Sequence, residues 1–125
     1  MDLNEVSGQV VDAAFKVHSA LGPGLLESTY TTCLLFELHR RGLTALREVE
    51  LPVIYEGVQI DCGYRIDLLV EGAVIVEVKS VESVAPLHQA QLLTYLKLSG
   101  RKIGLLINFN SLHLKDGIKR LVNNL

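Results

Sequence analysis

Cysteine and long apolar runs are scarce in this sequence, and no pair of histidines has metal-ligand spacing. The two cysteines, Cys33 and Cys62, form no CxxC pair, which is typical of reduced thiols in a cytoplasmic protein. The four histidines lack the HxxxH spacing of a zinc site. No segment approaches the ~18 apolar residues that a membrane span requires, and the N-terminal MDLNEVSG lacks the apolar segment of a signal peptide. We therefore expect a cytoplasmic protein with no membrane partner.

Positive charge is not in excess overall, but it is unevenly distributed. The formal net charge is −2, which does not indicate strong, non-specific binding to nucleic acid. Residues 1–78 hold five Lys or Arg and twelve Asp or Glu, a net charge of −7, whereas residues 79–125 hold seven and two, a net charge of +5. The basic C-terminal half either supplies phosphate contacts or only solvates helix faces, and the sequence leaves both interpretations open.

The length of 125 residues and the hydrophobic content of 49% predict one globular domain spanning residues 1–125. Helices are expected at residues 3–20, about 25–41, 86–100 and 114–124. Strands are expected near residues 46–55 and 58–62, joined by a turn at Glu56-Gly57, in two segments that contain Asp67 and Glu77, and at 102–109. The order ααββββαβα predicts an α/β fold (mixed α+β) with a mixed sheet packed between helices.

Three charged residues interrupt a segment that otherwise has the pattern of a buried β-hairpin. Asp67 lies in YRIDLLV, and Glu77 and Lys79 lie in AVIVEVK. Residues two apart in a strand project from the same face. Charge in such apolar surroundings costs free energy unless it is paired, hydrated or bound to a metal. The arrangement suits metal-assisted hydrolysis of phosphate esters, although a charged strand face is more often simply solvated.

The length of the hairpin loop decides which side chains share a face. A two-residue turn would place Asp67 and Glu77 on different sides, whereas a three-residue loop at residues 71–73 produces the pairs Val70–Val74, Asp67–Glu77 and Arg65–Lys79. The second register gathers Tyr64, Ile66, Leu68, Val70, Val74, Val76 and Val78 on one face and Arg65, Asp67, Leu69, Ile75, Glu77 and Lys79 on the other. Burial of the first face selects this register, and Gly72 suits the left-handed position of such a loop.

Two of the predicted helices carry polar residues with helical spacing. Gln91 and Tyr95 are four apart and share a face, and His88 lies three residues before Gln91. These side chains either orient a water or a phosphate, or simply meet solvent and cap the sheet edge. Glu27 falls in the first turn of its helix, where the helix dipole favours an anion. Tyr30 is three residues further on and is either part of a site or an ordinary half-buried tyrosine with its hydroxyl bonded.

Taken together, these motifs resemble the GxxExxY family of the PD-(D/E)XK nuclease superfamily. The resemblance covers about residues 7–124 and rests on GLLESTY at 24–30, GYRID at 63–67, VEVK at 76–79, His88 with Gln91 and Tyr95, and LLINF at 105–109. It implies a restriction-endonuclease-like core. It also implies that Asp67, Glu77 and Glu27 bind a divalent metal, and that Lys79 positions or activates the attacking water. The Gln-x-x-x-Tyr spacing is similar to that of RecB-like nucleases, which adds Gln91 and Tyr95 to the catalytic set.

The function that the resemblance implies is hydrolysis of phosphodiester bonds by a Mg²⁺-dependent nuclease, with Mn²⁺ as the alternative metal. The expected partner is nucleic acid, with DNA favoured over RNA, and the sequence does not indicate an oligomeric state. Arg65, Tyr30 and His88 are the candidate substrate contacts, although Arg65 is equally suited to pairing with Glu27. The alternatives are a catalytically silent module of the same fold that binds nucleic acid or protein, and a small structural subunit whose charges only keep it in solution.

Overall fold

A computed structural model describes all residues from 1 to 125. The α-helices are α1 (Leu3–Leu21), α2 (Glu27–Arg40) and α3 (Pro86–Ser99), and a short 3₁₀ helix spans Leu114–Gly117. The strands are β1 (Ala45–Glu50), β2 (Val53–Tyr55), β3 (Val58–Ile60), β4 (Arg65–Val70), β5 (Val74–Lys79), β6 (Ile103–Asn108) and β7 (Ile118–Val122). None of the helices combines the length and the apolar character needed to cross a membrane.

Helix α1 begins and ends where local chemistry favours its boundaries. The Asp2 side chain accepts a hydrogen bond of 2.8 Å from the Glu5 amide and so satisfies a free donor at the first turn. Gly22, with a φ of 69°, follows the last residue, as is common for glycine after a helix. The buried face of α1 includes Val6, Val10 and Ala14, which pack into the same core as α2.

Five strands form one mixed sheet in the order β1-β4-β5-β6-β7, and β2 and β3 form a separate two-stranded sheet. The β5–β6 pair is parallel and is connected by α3, whereas the other neighbours in the large sheet are antiparallel. Helices α1 and α2 share a core of 20 buried residues with one face of this sheet, and α3 shares a core of eight with the other. A side chain at Gly104 in β6 would lie 2.9 Å from Leu92 in α3, so glycine permits this close packing.

The predicted hairpin register is confirmed where β4 and β5 pair. Val70 lies opposite Val74 and Leu68 opposite Val76, which requires the three-residue loop. The predicted alternation of faces is wrong at Ile66, which packs into the core under α3 while Leu68 packs into the core under α1 and α2. The strict alternation fails between these two residues, where the backbone ladder to β5 ends.

Two other predictions about secondary structure were wrong. The strand expected at 46–55 is interrupted at Leu51-Pro52, so that its two parts belong to different sheets. Proline has no amide to donate to a strand ladder. The helix expected at 114–124 is instead the short 3₁₀ helix followed by β7. Strand β6 is buried along its whole length, and β7 supplies backbone partners to its open edge.

Candidate active site

Asp67 and Glu77 meet at the point where β4 and β5 stop pairing through their backbones. The ladder ends at Leu68–Val76. Beyond it, the Asp67 amide donates a hydrogen bond of 2.8 Å to Glu77 Oε2, and the Val78 amide donates one of 2.9 Å to Asp67 Oδ2. The two carboxylates therefore bind backbone amides that would otherwise lack partners, and they lie next to each other as the register predicts.

Burial raises the pKa of both carboxyl groups. The Glu77 residue is only 5% exposed, and its burial, followed by the charge of Asp67, raises its pKa from 4.5 to about 8. Burial also raises the pKa of Asp67, against the opposing effects of its hydrogen bond from Val78 and the charge of Lys79. Burial therefore favours the protonated form of Glu77 unless a cation compensates for the buried charge.

Glu27 reaches the same region from the first turn of α2. The Ser80 amide, immediately after β5, donates to Glu27 Oε2 at 3.3 Å, and the Ser80 hydroxyl donates to the Leu25 carbonyl at 2.6 Å. Glu27 and Asp67 line one cavity of about 350 Å³. The charge of Glu27 contributes to the raised pKa values of both Asp67 and Glu77. The structure thus brings together three acidic residues that are far apart in the sequence.

Tyr30 is completely buried, and this corrects the expectation that its side chain contacts a substrate. Its hydroxyl donates to the Gly22 carbonyl and accepts from the Leu25 amide at 3.1 Å. Its ring stacks on Phe109 with 4.7 Å between centroids and 6° between planes. Tyr30 therefore fixes the loop that precedes α2, and with it the position at which Glu27 begins the helix.

Lys79 ends β5 and lies beside the acidic residues. It is paired in parallel with Asn108 of β6, and its charge lowers the pKa of both Asp67 and Glu77. The structure contains four salt bridges, none of which involves Lys79. The buried Asn108 side chain accepts from the Val81 amide at 3.1 Å and donates to the Val81 carbonyl at 2.9 Å, which fixes the chain just after Lys79.

On α3, Gln91 and Tyr95 are in contact but do not line the cavity of Glu27 and Asp67. The Gln91 side-chain amide donates to the Tyr95 hydroxyl at 3.2 Å, and both residues line a second groove. Gln91 is therefore absent from the cavity that Glu27 shares with Asp67, a cavity that Glu77 does not line either, and its expected place at the Asp67–Glu77 pair stays a prediction. Tyr95 lies in one buried cluster with Ile66 and Ile75, which are close to Asp67 and Glu77 along β4 and β5. Burial, followed by the charge of Glu77, raises the pKa of the Tyr95 phenol.

His88 and Arg65 have local partners. His88 Nδ1 accepts from the Ala85 amide at 3.1 Å, so this ring caps the first turn of α3. Arg65 donates to the Tyr64 carbonyl at 2.8 Å and lies 3.7 Å from Asp61, so the alternative in which it pairs with Glu27 is wrong, and the phosphate contact stays a prediction. Arg65 also does not face Lys79, because the backbone ladder has already ended.

Part of the basic C-terminal half lies far from the acidic residues. Arg101 and Lys102 precede the first residue of β6, and Lys79 pairs with the last. Arg101 donates to the Gly72 carbonyl, at the other end of the hairpin. At about 3.3 Å per strand residue, this end is on the order of 17 Å from Lys79. These two residues therefore do not supply phosphate contacts at the Asp67–Glu77 pair.

Glu48 is a residue of this region that the sequence does not reveal. It lines the cavity with Glu27 and Asp67, and its charge contributes to the raised pKa of Asp67. Its backbone has a φ of 54°, a left-handed conformation that is uncommon for glutamate. The alternating pattern of the LREVE segment predicts only a charged side chain on an exposed strand, so no local signal marks Glu48.

The acidic residues have the donor chemistry of a hard divalent cation. As the side chains stand, no three His, Cys, Asp or Glu residues are close enough together to hold a metal ion. Asp67 and Glu77 each bind a backbone amide through one carboxylate oxygen, which leaves the second oxygen of each as a ligand. Carboxylate oxygens are the protein ligands that Mg²⁺ prefers, and it is often held by only one or two of them. The residues therefore fit such an ion.

No curated protein and no solved structure matches the chain. A sequence model of the PD-(D/E)XK nuclease superfamily matches residues 4–121, which contain all the acidic residues of the cavity and Lys79. The mixed five-stranded sheet between helices is also consistent with the restriction-endonuclease-like fold of that superfamily. On this match over almost its whole length, the chain belongs to the PD-(D/E)XK nuclease superfamily.

Proposed function

We propose that the protein is a cytoplasmic nuclease of the GxxExxY branch that hydrolyses phosphodiester bonds, favours DNA over RNA and uses Mg²⁺, with Mn²⁺ as the alternative. The observation that carries this proposal is the hydrogen-bonded pair of buried carboxylates, Asp67 and Glu77, beside Lys79. A buried acidic pair is costly for a protein that needs it only for solubility. It is useful where a divalent cation compensates the charge of the carboxylates and in turn binds a phosphate.

Asp67 and Glu77 would hold the metal, and Glu27 would complete the acidic set from α2. When bound, a divalent metal lowers the pKa of its water and neutralises charge that develops on the phosphoryl oxygens. The chain holds its carboxylates in advance, because backbone amides fix one oxygen of each. The hydrogen bond from Ser80 holds Glu27 towards the end of β5 in the same way.

Lys79 would act on the attacking water or on a non-bridging phosphate oxygen. An ammonium group that is not committed to a salt bridge can donate to the group on which negative charge develops. Tyr95 is suited to donating a hydrogen bond, because burial raises the pKa of its phenol and keeps it protonated. Its oxygen already accepts from Gln91, which leaves the Tyr95 hydroxyl proton available for donation to a phosphate oxygen.

A cleavage assay tests this function. Single- and double-stranded DNA and RNA are incubated with wild-type protein and Mg²⁺ or Mn²⁺, and with Lys79→Ala and Asp67→Asn variants. We expect DNA cleavage that decreases by about 10²–10³-fold in Lys79→Ala, the usual loss for one preorganised donor. Lys97→Ala, which removes an exposed lysine of α3, is the matched control and should retain full activity. Binding without cleavage under all conditions would instead support the catalytically silent module.

A further inference from the structure

An uncharged groove of about 370 Å³ lies beside α3, and its lining includes Tyr64, which is three residues before Asp67 in the chain. Six of its eight lining residues are hydrophobic, and none carries a charge; they include Val53, Tyr64, Leu87, Gln91, Thr94 and Tyr95. This volume is within the usual range for a small-molecule site, about 300–1,000 Å³. The groove is therefore large enough for one planar ring system and is not built to hold a phosphate.

Several apolar side chains in and around the groove are exposed to solvent. The β2–β3 hairpin is separate from the main sheet, and both strands present exposed aliphatic or aromatic side chains. Tyr64 is 45% exposed and Leu87 is 76% exposed. Both side chains line the groove together with Val53 of β2, and a contiguous exposed apolar surface marks a site of interaction.

Tyr95 makes the groove continuous with the acidic residues. Its ring packs edge-on against Tyr64, with 6.1 Å between centroids and 63° between planes. Tyr95 also belongs to one buried cluster with Ile66, the residue before Asp67 in β4, and Ile75, two residues before Glu77 in β5. A molecule in the groove that contacts Tyr95 is therefore next to the carboxylates.

We propose that this groove holds one unstacked nucleobase of a single-stranded nucleic acid, while the adjoining phosphate lies at the Asp67–Glu77 pair. The inference rests on the proposed function and deepens it by naming the substrate class. The Tyr64 ring supplies a stacking surface for any base, and the Gln91 and Thr94 side chains supply hydrogen bonds to its edge. Arg65, next to Tyr64 and exposed, supplies a cation for the backbone.

A single strand suits this groove better than a duplex or a protein. Bases in a duplex are already stacked and paired, so placing one in the groove costs the energy of extruding it. A protein partner needs about 800 Å² of contact surface on each side, whereas the groove encloses the volume of a small ligand. The absence of charge among the lining residues also separates this groove from the acidic cavity, so that base and phosphate have different binding places.

Binding measured without cleavage tests the inference. Fluorescence anisotropy with a labelled single-stranded oligonucleotide, and with the same sequence as a blunt duplex, is carried out in Ca²⁺ and in EDTA. We expect the wild type to prefer the single strand. Tyr64→Ala should weaken binding of the single strand by roughly 5- to 150-fold, the range for loss of one base–aromatic stack. Tyr64→Phe should restore it, and duplex binding should not change.

Matched controls separate a stacking role from a general loss of surface. Tyr55→Ala removes a 65%-exposed tyrosine of the β2–β3 hairpin that does not line the groove, and it should bind like the wild type. Leu87→Glu adds negative charge at an exposed lining position and should weaken single-strand binding, whereas Leu112→Glu, at an 84%-exposed position outside the groove, should not. If Tyr64→Ala does not fold, the Leu87→Glu and Leu112→Glu pair decides.

The outcomes distinguish this inference from the proposed function. The protein could cleave single strands and duplexes equally, with Tyr64→Ala and Leu87→Glu leaving cleavage unchanged. That result would overturn the base site and leave the proposed nuclease function standing. Single-strand binding that depends on Tyr64, without cleavage in Mg²⁺ or Mn²⁺, would support the base site and contradict the nuclease. If the protein self-associates, and Tyr64→Ala abolishes this association while single-strand binding is unchanged, a second copy of the chain occupies the groove. That result would overturn the inference.

Discussion

Asp67 and Glu77 are linked across two neighbouring strands, because the Asp67 amide donates to Glu77 Oε2 while Asp67 Oδ2 accepts from the Val78 amide. Each carboxylate thus replaces a backbone carbonyl in the ladder between β4 and β5. An isosteric amide retains an oxygen that accepts the same hydrogen bond. Replacement of Glu77 by Gln therefore removes the charge and the titration while retaining the strand geometry, which makes it the most informative single change in the site.

The raised pKa of Glu77 predicts that stability depends on pH. The pKa of about 8 in the folded protein exceeds the ordinary value of 4.5, so the folded state binds the proton more tightly. The stabilisation is complete below the unfolded pKa and is lost as pH rises through the folded one, at about 1.4 kcal/mol for each unit between them. In EDTA, the free energy of unfolding should therefore fall by several kcal/mol between about pH 5 and about pH 8, measured by urea denaturation.

Glu77→Gln should remove most of that dependence. Some decrease should remain, because burial also raises the pKa of Asp67 and acts in the same direction. Glu82→Gln, which changes an exposed acid shortly after β5, is the control and should follow the wild-type curve. Parallel curves for the wild type and Glu77→Gln would show that Glu77 is ionised in the folded protein at neutral pH.

Metal binding should oppose this loss of stability. A cation that binds only the folded state should raise the free energy of unfolding by roughly 1–3 kcal/mol at concentrations well above the dissociation constant. Glu77→Gln, which loses one ligand charge, should be at least as stable as the wild type in EDTA and should gain little from Mn²⁺. Calorimetric scans of both proteins with and without Mn²⁺ measure the effect. Equal metal-induced shifts in the two proteins would mean that the ion binds elsewhere.

Protons should be released when the metal binds. Because burial favours the protonated form of Glu77 in the absence of a cation, a metal that binds its carboxylate should displace a proton. The affinity for Mn²⁺ should therefore rise with pH up to about 8 and then level off. Titration calorimetry in buffers of different ionisation enthalpy measures the number of protons released. A value of zero at neutral pH would contradict a Glu77 ligand.

The sequence was most informative where neighbouring residues determine the structure. The three-residue loop at residues 71–73 followed from the need to bury one face of the hairpin, and it placed Asp67 beside Glu77. The turn at Glu56-Gly57 is also confirmed, and both residues have positive φ values, 51° and 77°. Such two-residue turns have a recognisable local signature.

Features that depend on distant contacts were not predictable from the sequence. Leu114, Ile118 and Leu121 have helical spacing, yet residues 118–122 form β7 because β6 offers an open edge. Glu48 enters the cavity through a left-handed backbone conformation inside a strand, which no residue pattern indicates. The burial of Tyr30 depends on Phe109, which is almost 80 residues away in the sequence. In each case a tertiary contact overrides the local pattern.

Because Tyr30 is buried, replacing it should lower the stability of the protein without directly changing its affinity for substrate. Tyr30→Phe retains the stack on Phe109 but leaves the Gly22 carbonyl and the Leu25 amide without their partner. The expected loss of stability is about 1–3 kcal/mol, the cost of unsatisfied buried polar groups. Urea denaturation measures it, with Tyr55→Phe at an exposed position as the control. A fully stable Tyr30→Phe variant with weakened substrate affinity would instead support the original assignment of a substrate contact.

If Glu48 helps to bind the metal, replacing it should raise the stability of the metal-free protein and lower its affinity for Mn²⁺. A left-handed conformation costs a non-glycine residue roughly 1–2 kcal/mol, and the charge of Glu48 adds to the repulsion around Asp67. Glu48→Gly should therefore be more stable than the wild type by about 1 kcal/mol in EDTA. Glu48→Gln removes only the charge and should gain less. If Glu48 attracts the cation, both variants should bind Mn²⁺ more weakly than the wild type by titration calorimetry. Unchanged Mn²⁺ affinity in both variants would restrict the metal-binding acids to Asp67, Glu77 and Glu27.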